Sequence, residues 1–293
     1  MEFQHVSVMP NEVMNYWVSD PQGLYLDVTL GGAGHSRRLL EAFSAVRLVG
    51  IDQDPQALAA AAQVLAPYQH RVRLVRGNFR EVARLLPDEK FHGALFDLGV
   101  SSPQFDRPDR GFSYQHAEAP LDMRMDPDSP VTAMDLINTR SASEIKDALW
   151  QYGEERWAGR IADFIVAARR RQPIRTSGEL VEIIKAAIPA GARREGGHPA
   201  RRTFQALRIW VNDELGALVE GIKGAWSLLV PGGRLVVISF HSLEDRLVKH
   251  QFRQWHHEQV GQVLTKHPVT ATPEEVEANP RARSAKLRAI TKT

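Results

Sequence analysis

Leu-Phe-Asp-Leu-Gly-Val-Ser-Ser-Pro-Gln, residues 95–104, joins an apolar strand to an acid, Asp97, and then to a polar loop. A carboxylate and several backbone dipoles thus stand at the carboxyl end of a buried strand, where open α/β sheets bind their ligands. Two earlier stretches have the same form. Residues 24–30 (LYLDVTL) run into Gly31-Gly32-Ala33-Gly34-His35, and residues 46–51 (VRLVGI) end at Asp52-Gln53-Asp54-Pro55. Three such junctions in about a hundred residues describe a site for a nucleotide-type cofactor.

Strand and helix patterns alternate around these junctions. Residues 35–43 place Leu39, Leu40 and Phe43 on one helical face, and the Ala-rich stretch 55–65 has proline in its first turn. A third strand at 72–76 ends in Gly77-Asn78-Phe79, and a short helix at 80–86 leads to the fourth strand at 93–96. This order predicts a doubly wound, mostly parallel α/β sheet. The alternation then stops. Residues 105–135, rich in Pro, Asp, Gly and Met, have no period and form a long loop of the kind that is usually functional. Helical spacing fills 143–188. Sheet grammar returns after Arg201, with one long helix over 203–229, a turn at 231–233 and a fifth strand at 234–240. Ser242 is the expected N-cap of the next helix, with Asp245 three residues on, and 284–290 forms a last strand. The expected layout is an α/β core of residues 1–105 and 201–293 interrupted by a mostly helical insert, 106–200, that recognises the substrate.

At 293 residues and 43% hydrophobic composition the chain can fill one large or two modest domains. Its net charge of +2 neither demands nor excludes a nucleic-acid partner. The absence of cysteine is more decisive. It excludes disulfides, thiolate zinc sites, iron–sulfur clusters and thiol nucleophiles together. A pyrimidine-modifying enzyme of this sequence cannot form a cysteine adduct at ring carbon 6. Residues 1–5 lack the basic and apolar regions of a signal peptide, and no apolar run approaches the roughly 18 residues of a membrane span. The expectation is a soluble cytoplasmic protein with no membrane partner.

Gly31, Gly32 and Gly34 let backbone approach a ligand closely, and a helix starting near His35 directs free N–H groups at it. A tight turn with no ligand has the same composition. Asp52 narrows the choice: it lies eighteen residues beyond Gly34, at a strand end from which an acid reaches ribose hydroxyls. Asp54, just before Pro55, fits a helix cap better. Together these features indicate an adenosine-containing cofactor, either a nicotinamide dinucleotide or S-adenosyl-L-methionine. Three observations favour S-adenosylmethionine. The turn is not the strict G-x-G-x-x-G suited to a pyrophosphate. Phe79 follows a strand end, where an aromatic ring can cover adenine or else join the core. The acid-and-proline loop after the fourth strand sits where amino-directed methyltransferases hold their acceptor.

Six strings, 26–36 (LDVTLGGAGHS), 50–55 (GIDQDP), 96–104 (FDLGVSSPQ), 120–126 (PLDMRMD), 202–209 (RTFQALRI) and 238–246 (ISFHSLEDR), closely resemble those of the bacterial 16S ribosomal RNA cytosine-N4 methyltransferases. The resemblance covers nearly the whole chain. Between Phe252 and Pro280 this chain is shorter than many members, so contacts made there are not carried over. The resemblance implies a class I methyltransferase fold, S-adenosylmethionine as donor, and the N4 amine of cytosine 1402 in the decoding centre as acceptor. It further implies 16S ribosomal RNA or the small ribosomal subunit as partner, and a homodimer. Cofactor-binding positions map to Ala33, Gly34, His35, Asp52, Phe79, Asp97 and Gln104, the last supplied by the resemblance alone.

The exocyclic amine of cytosine is a poor nucleophile because its lone pair is delocalised into the ring. An acceptor for its N–H protons, from Asp97 or nearby carbonyls, would hold it in line with a sulfonium methyl. Asp97 serves equally well as a partner for the methionine amino group. No metal is required. His241 and Ser242 border the same cleft, either as an RNA contact or as a helix start, and residues 122–126 suggest a lid. Residues 160–208 carry eleven cations against four acids, a pattern that fits phosphate binding or a solvated helical face. Arg281, Arg283, Lys286 and Arg288 suggest a second basic patch. Two rivals remain at this level: a nicotinamide-dependent oxidoreductase, and a non-catalytic RNA-binding assembly factor.

Overall fold

The computed structural model describes residues 7–100, 107–194 and 197–293. The chain divides into two compact units, Met1–Ser102 with Leu215–Thr293, and Pro103–Glu214. In chain order the elements of the first segment are α1 (Pro10–Trp17), β1 (Leu24–Asp27), α2 (Gly34–Ala42), β2 (Arg47–Asp52), α3 (Pro55–Val64), β3 (Val72–Arg76), α4 (Val82–Leu85) and β4 (Phe91–Asp97). The second unit holds α5 (Ala133–Thr139), α6 (Ala142–Gly153), α7 (Ala158–Arg169), α8 (Ser177–Ala187) and α9 (Arg201–Asn212). The chain then adds α10 (Glu214–Ser227), β5 (Leu229–Ser239), α11 (Ser242–His257), β6 (Gly261–Val263), β7 (Val269–Thr270), α12 (Pro273–Ala278) and β8 (Lys286–Lys292).

The strands form one sheet in the order β3-β2-β1-β4-β5-β8-β6, with β7 also paired to β8. Pairings from β3 through β5 are parallel, whereas β8 runs antiparallel to β5. This is the expected doubly wound, mostly parallel sheet. Side chains alternate between two buried faces, as a sheet covered on both sides requires. Leu26, Val49, Phe96 and Val237 pack with Leu218 and Ile222 of α10 and Phe252 of α11. Tyr25, Leu48, Leu95 and Val236 pack with Trp17, Leu39 and Ala61. Strand order reverses between β1 and β4, so the carboxyl ends of these two strands flank the crevice where this fold takes ligands.

Several local features depart from expectation. The single helix anticipated over 203–229 is two helices, because Asp213 adopts a left-handed backbone (φ 44°, ψ 47°) that ends α9. The first of these, α9, packs against α6, and the division between units falls after Glu214. Gly153 permits that packing: a Cβ there would lie 2.6 Å from the Arg202 carbonyl oxygen. The N-cap of α11 is His241, not Ser242, and its reciprocal partner is Glu244 rather than Asp245. The short elements α1, β6, β7 and α12 were not anticipated.

In the second unit, α5, α6 and α8 each begin with a capping box, formed by Thr132 with Asp135, Ser141 with Glu144, and Thr176 with Glu179. The segment suggested as a lid is instead tied down. Leu121, Met123 and Met125 are buried, and Arg124 makes a two-pronged pair with Asp122. Burial opposes ionisation of Asp122, yet that pair holds its carboxyl below the usual range. Buried Arg110 donates to the carbonyls of Arg124 and Met125, and Asn212 bonds Met123 and Met125. This unit also contains a cavity of about 750 Å³ lined by Tyr114, Glu118, Glu179, Glu182, Lys185 and His198. Its three carboxylates disfavour a phosphate. No helix among the described residues is long and apolar enough to cross a membrane.

Candidate active site

Strand β1 stops at Asp27, earlier than the sequence pattern suggests, and the chain then turns through residues 28–33 into α2. Gly31 and Ala33 both take positive φ (50° and 59°), a conformation that suits glycine and strains alanine. Ala33 is the N-cap of α2 and makes no side-chain capping bond. Among the described residues the helix start thus has no capping side chain and no acid in its first turn, a setting that favours an anion at the free N–H groups.

Asp52 ends β2 and reaches back to that turn. Its Oδ2 accepts from Gly31 N (2.8 Å) and its Oδ1 from Asp54 N (2.9 Å). Each carboxylate oxygen keeps a further lone pair for a hydroxyl donor. Burial pushes the carboxyl up to about 6, against the lowering by these two backbone bonds. Asp54 caps α3 by accepting from Gln56 N at 2.9 Å.

Asp27 belongs to the same constellation and was passed over in the sequence. It is 2% exposed. Its Oδ2 accepts from Ser36 Oγ (2.6 Å) and its Oδ1 from Thr29 N (3.2 Å), so it clamps both ends of the glycine turn. Burial pushes its carboxyl up to about 6, against the lowering hydrogen bond from Ser36. The signal was an acid at a strand end, as at 52 and 97, hidden by the expectation of a strand continuing to 30.

Asp97 closes β4, beside β1. Its backbone N–H donates to Thr29 Oγ1 at 2.6 Å, which fixes the strand end against the turn. One carboxylate oxygen, Oδ2, lies 3.6 Å from Nε2 of buried His35. The other, Oδ1, is buried without a hydrogen-bond partner among the described residues. Phe79 stands at the end of β3, where its ring meets Phe96 edge to face (centroids 5.6 Å apart, 72° between planes). A Cβ at Gly221 would lie 2.6 Å from the Phe79 ring, so α10 approaches closely only because that residue is glycine. Phe79 is thus partly engaged in the core. Gln104 lies outside the described residues.

His241 serves the start of α11. Glu244 Oε2 accepts from the N–H groups of Phe240 (2.8 Å) and His241 (3.3 Å), and His241 Nδ1 accepts from Glu244 N (3.4 Å). The second basic patch does not form as expected. Arg288 is buried and paired with Asp245 at 2.6 Å, with Lys286 3.6 Å from the same carboxylate. Burial works against Asp245, but these cations hold its carboxyl below the usual range.

One end of the sheet thus carries three strand-terminal carboxylates, a strained glycine-rich turn and an uncapped helix start. The family model described as the MraW methylase family matches residues 2–293. The chain is 53% identical over 311 residues to the Ribosomal RNA small subunit methyltransferase H of Symbiobacterium thermophilum, covering 100% of this chain and 98% of that protein. The like-named proteins of Heliobacterium modesticaldum and Geotalea daltonii are 51% and 50% identical, with 99% or more of each chain covered. Agreement of this extent leaves no segment of the fold outside the comparison, and the chain belongs to the MraW methylase family.

Proposed function

We propose that this protein is an S-adenosylmethionine-dependent methyltransferase that methylates the N4 amine of cytosine 1402 in 16S ribosomal RNA. The observation that carries the reading is the convergence of the Gly31–Gly34 turn, Asp52 and Asp97 at the reversal point of the sheet, in a chain half identical to small-subunit RNA methyltransferases. The cofactor fits the residues present. The uncapped start of α2, at Ala33, Gly34 and His35, suits the methionine carboxylate, and Asp52 retains lone pairs for the ribose hydroxyls. Phe79, whose ring meets Phe96 near the end of β3, is the residue proposed to cover adenine. When bound, this cofactor supplies an electrophilic methyl group on a sulfonium with a good leaving group already in place.

The protein's part is then chiefly orientation, which supplies on the order of 7–11 kcal/mol for well-placed reactants. Asp97 Oδ1 would accept a hydrogen bond from the cytosine amine and orient its nitrogen; as the nitrogen gains the methyl and the sulfonium leaves as a thioether, the displaced amine proton passes to solvent. Titration calorimetry with S-adenosylmethionine and with NADH separates this reading from an oxidoreductase. Binding of the former alone is expected; binding of NADH alone contradicts it.

The carboxyls of Asp27 and Asp52, both raised to about 6, give a pH signature. Without ligand, each binds a proton more tightly folded than unfolded. Their contribution to stability is therefore full below about pH 4 and is lost as pH rises through about 6. A sulfonium cation nearby favours the ionised carboxylates. Cofactor binding at pH 6 should release protons, seen as a dependence of calorimetric heat on buffer ionisation enthalpy, and at pH 8 it should not. Equal heats in all buffers at pH 6 would count against this placement of the two acids.

The second unit, Pro103–Glu214, is assigned to RNA recognition. Its cations are not equivalent. Arg169 is committed to the Ile137 carbonyl (2.5 Å), Arg202 to the Glu154 carbonyl (3.0 Å), and Arg208 to Glu214 through two bonds of 2.8 and 2.9 Å. Arg170, Arg171 and Arg175 are exposed. Charge reversal of Arg170 and Arg171 should weaken RNA binding and lower the log–log salt slope by about 1.4–1.8 for two lost phosphate contacts. Cofactor affinity should not change. An unaltered slope would separate these arginines from the RNA. The proposal also includes a homodimer acting in the cytoplasm, and sedimentation velocity tests the former: a sedimenting monomer contradicts it.

A further inference from the structure

We infer that the His35 imidazole is a positioning residue for Asp97: its Nε2–H holds one carboxylate oxygen so that the other faces the acceptor amine. The inference rests on the proposed methyl transfer and goes beyond it, because His35 had been placed at the cofactor only through its position in the glycine turn. His35 is 5% exposed, at the first turn of α2. Neither ring nitrogen has a hydrogen-bond partner among the described residues, and the same holds for Asp97 Oδ1. A buried imidazole costs free energy when left unpaired, so its polar edge is retained for a partner. Among the described residues the carboxylate oxygen that approaches the ring is Asp97 Oδ2, 3.6 Å from Nε2. That separation closes to a hydrogen bond by a small side-chain rotation, and catalytic bonds commonly tighten only when substrate is present.

The rest of the site favours this pairing. Asp27, the other carboxylate near His35, already accepts from Ser36 and Thr29. Among the described residues Asp97 has no side-chain hydrogen-bond donor, although its backbone is fixed by Thr29. Without a second anchor its carboxylate rotates freely about its terminal bond, and an acceptor held by one oxygen then loses its direction. An Nε2–H on Oδ2 fixes the plane and turns Oδ1 toward substrate. This is how a carboxylate without catalytic chemistry of its own orients an amine.

The test compares two amides. In His35→Gln the side-chain nitrogen falls near the position of Nε2; in His35→Asn it falls near Nδ1. With small ribosomal subunits as substrate, Gln should retain single-turnover methylation within about threefold, and Asn should lose about tenfold, the worth of one hydrogen bond to a charged group. Cofactor affinity should stay within about threefold in both, because the start of α2 is proposed to meet the cofactor through backbone N–H groups, which both substitutions keep. In an Asp97→Asn background the difference between Gln and Asn should vanish. A readout independent of turnover is the histidine ring 15N–1H correlation of the ligand-free protein. It should show His35 with hydrogen on Nε2, and Asp97→Asn should shift that nitrogen. Gln and Asn variants of equal activity, losses that add to those of Asp97→Asn, or hydrogen on Nδ1 alone would overturn the inference. A wild-type protein that transfers no methyl contradicts the underlying reading instead.

Discussion

Asp97→Asn should slow single-turnover methylation by about a hundredfold while leaving S-adenosylmethionine affinity within about threefold. The substitution keeps the shape of the side chain and the backbone bond to Thr29, but removes the charge and one acceptor. Hydrogen bonds to charged groups are worth about 1.5–3 kcal/mol, and the upper end of that range gives the stated loss. The position makes the effect fall on the rate. Asp97 Oδ1 is buried without a partner among the described residues, whereas the groups proposed for the cofactor's two ends are the uncapped start of α2 and Asp52. Equal losses in affinity and rate would instead place Asp97 on the methionine amino group. No change in either would remove it from the site.

Asp52→Ala should weaken S-adenosylmethionine binding by about two orders of magnitude, measured by calorimetry at pH 8. At that pH the carboxylate is ionised despite its raised pKa, and two charge-assisted bonds to ribose hydroxyls would together be worth about 3 kcal/mol. Part of the loss comes from the turn itself, because Asp52 also fixes Gly31. Asp52→Asn separates the contributions: it keeps one acceptor oxygen and should lose only about tenfold. Undiminished affinity in the alanine variant would show that the ribose is held elsewhere.

The sheet was legible because three apolar strands each run into a polar turn, two of them through an acid (Asp52 and Asp97), and that pattern survives without knowledge of the third dimension. Asp27 also ends its strand, but Val28, Thr29 and Leu30 continue a β-prone run in the sequence and hide it; in the fold its carboxylate accepts from Thr29 and Ser36. The break at Asp213 carries neither glycine nor proline, so the amphipathic spacing of 203–229 runs across it unmarked. The helix start at His241 and Ser242 was legible, but serine is the commoner cap and the sequence favours Ser242; the imidazole of His241 fills the role with Glu244 as reciprocal partner. Charge counting found cations but not their partners. Arg288 and Arg208, both tied to acids, show why a basic stretch overstates what is free to meet RNA. His35 and Asp97 are far apart in sequence, and their approach depends on β1 lying beside β4.

Mass spectrometry of nuclease digests identifies the methylated nucleotide itself. Small ribosomal subunits lacking the modification would be incubated with the protein and methyl-labelled S-adenosylmethionine. One labelled methyl on N4 of cytosine 1402 is expected, absent with Asp97→Asn under single-turnover times that suffice for the wild type. Label at another nucleotide, or none in small-subunit RNA while the protein binds the cofactor, would contradict it.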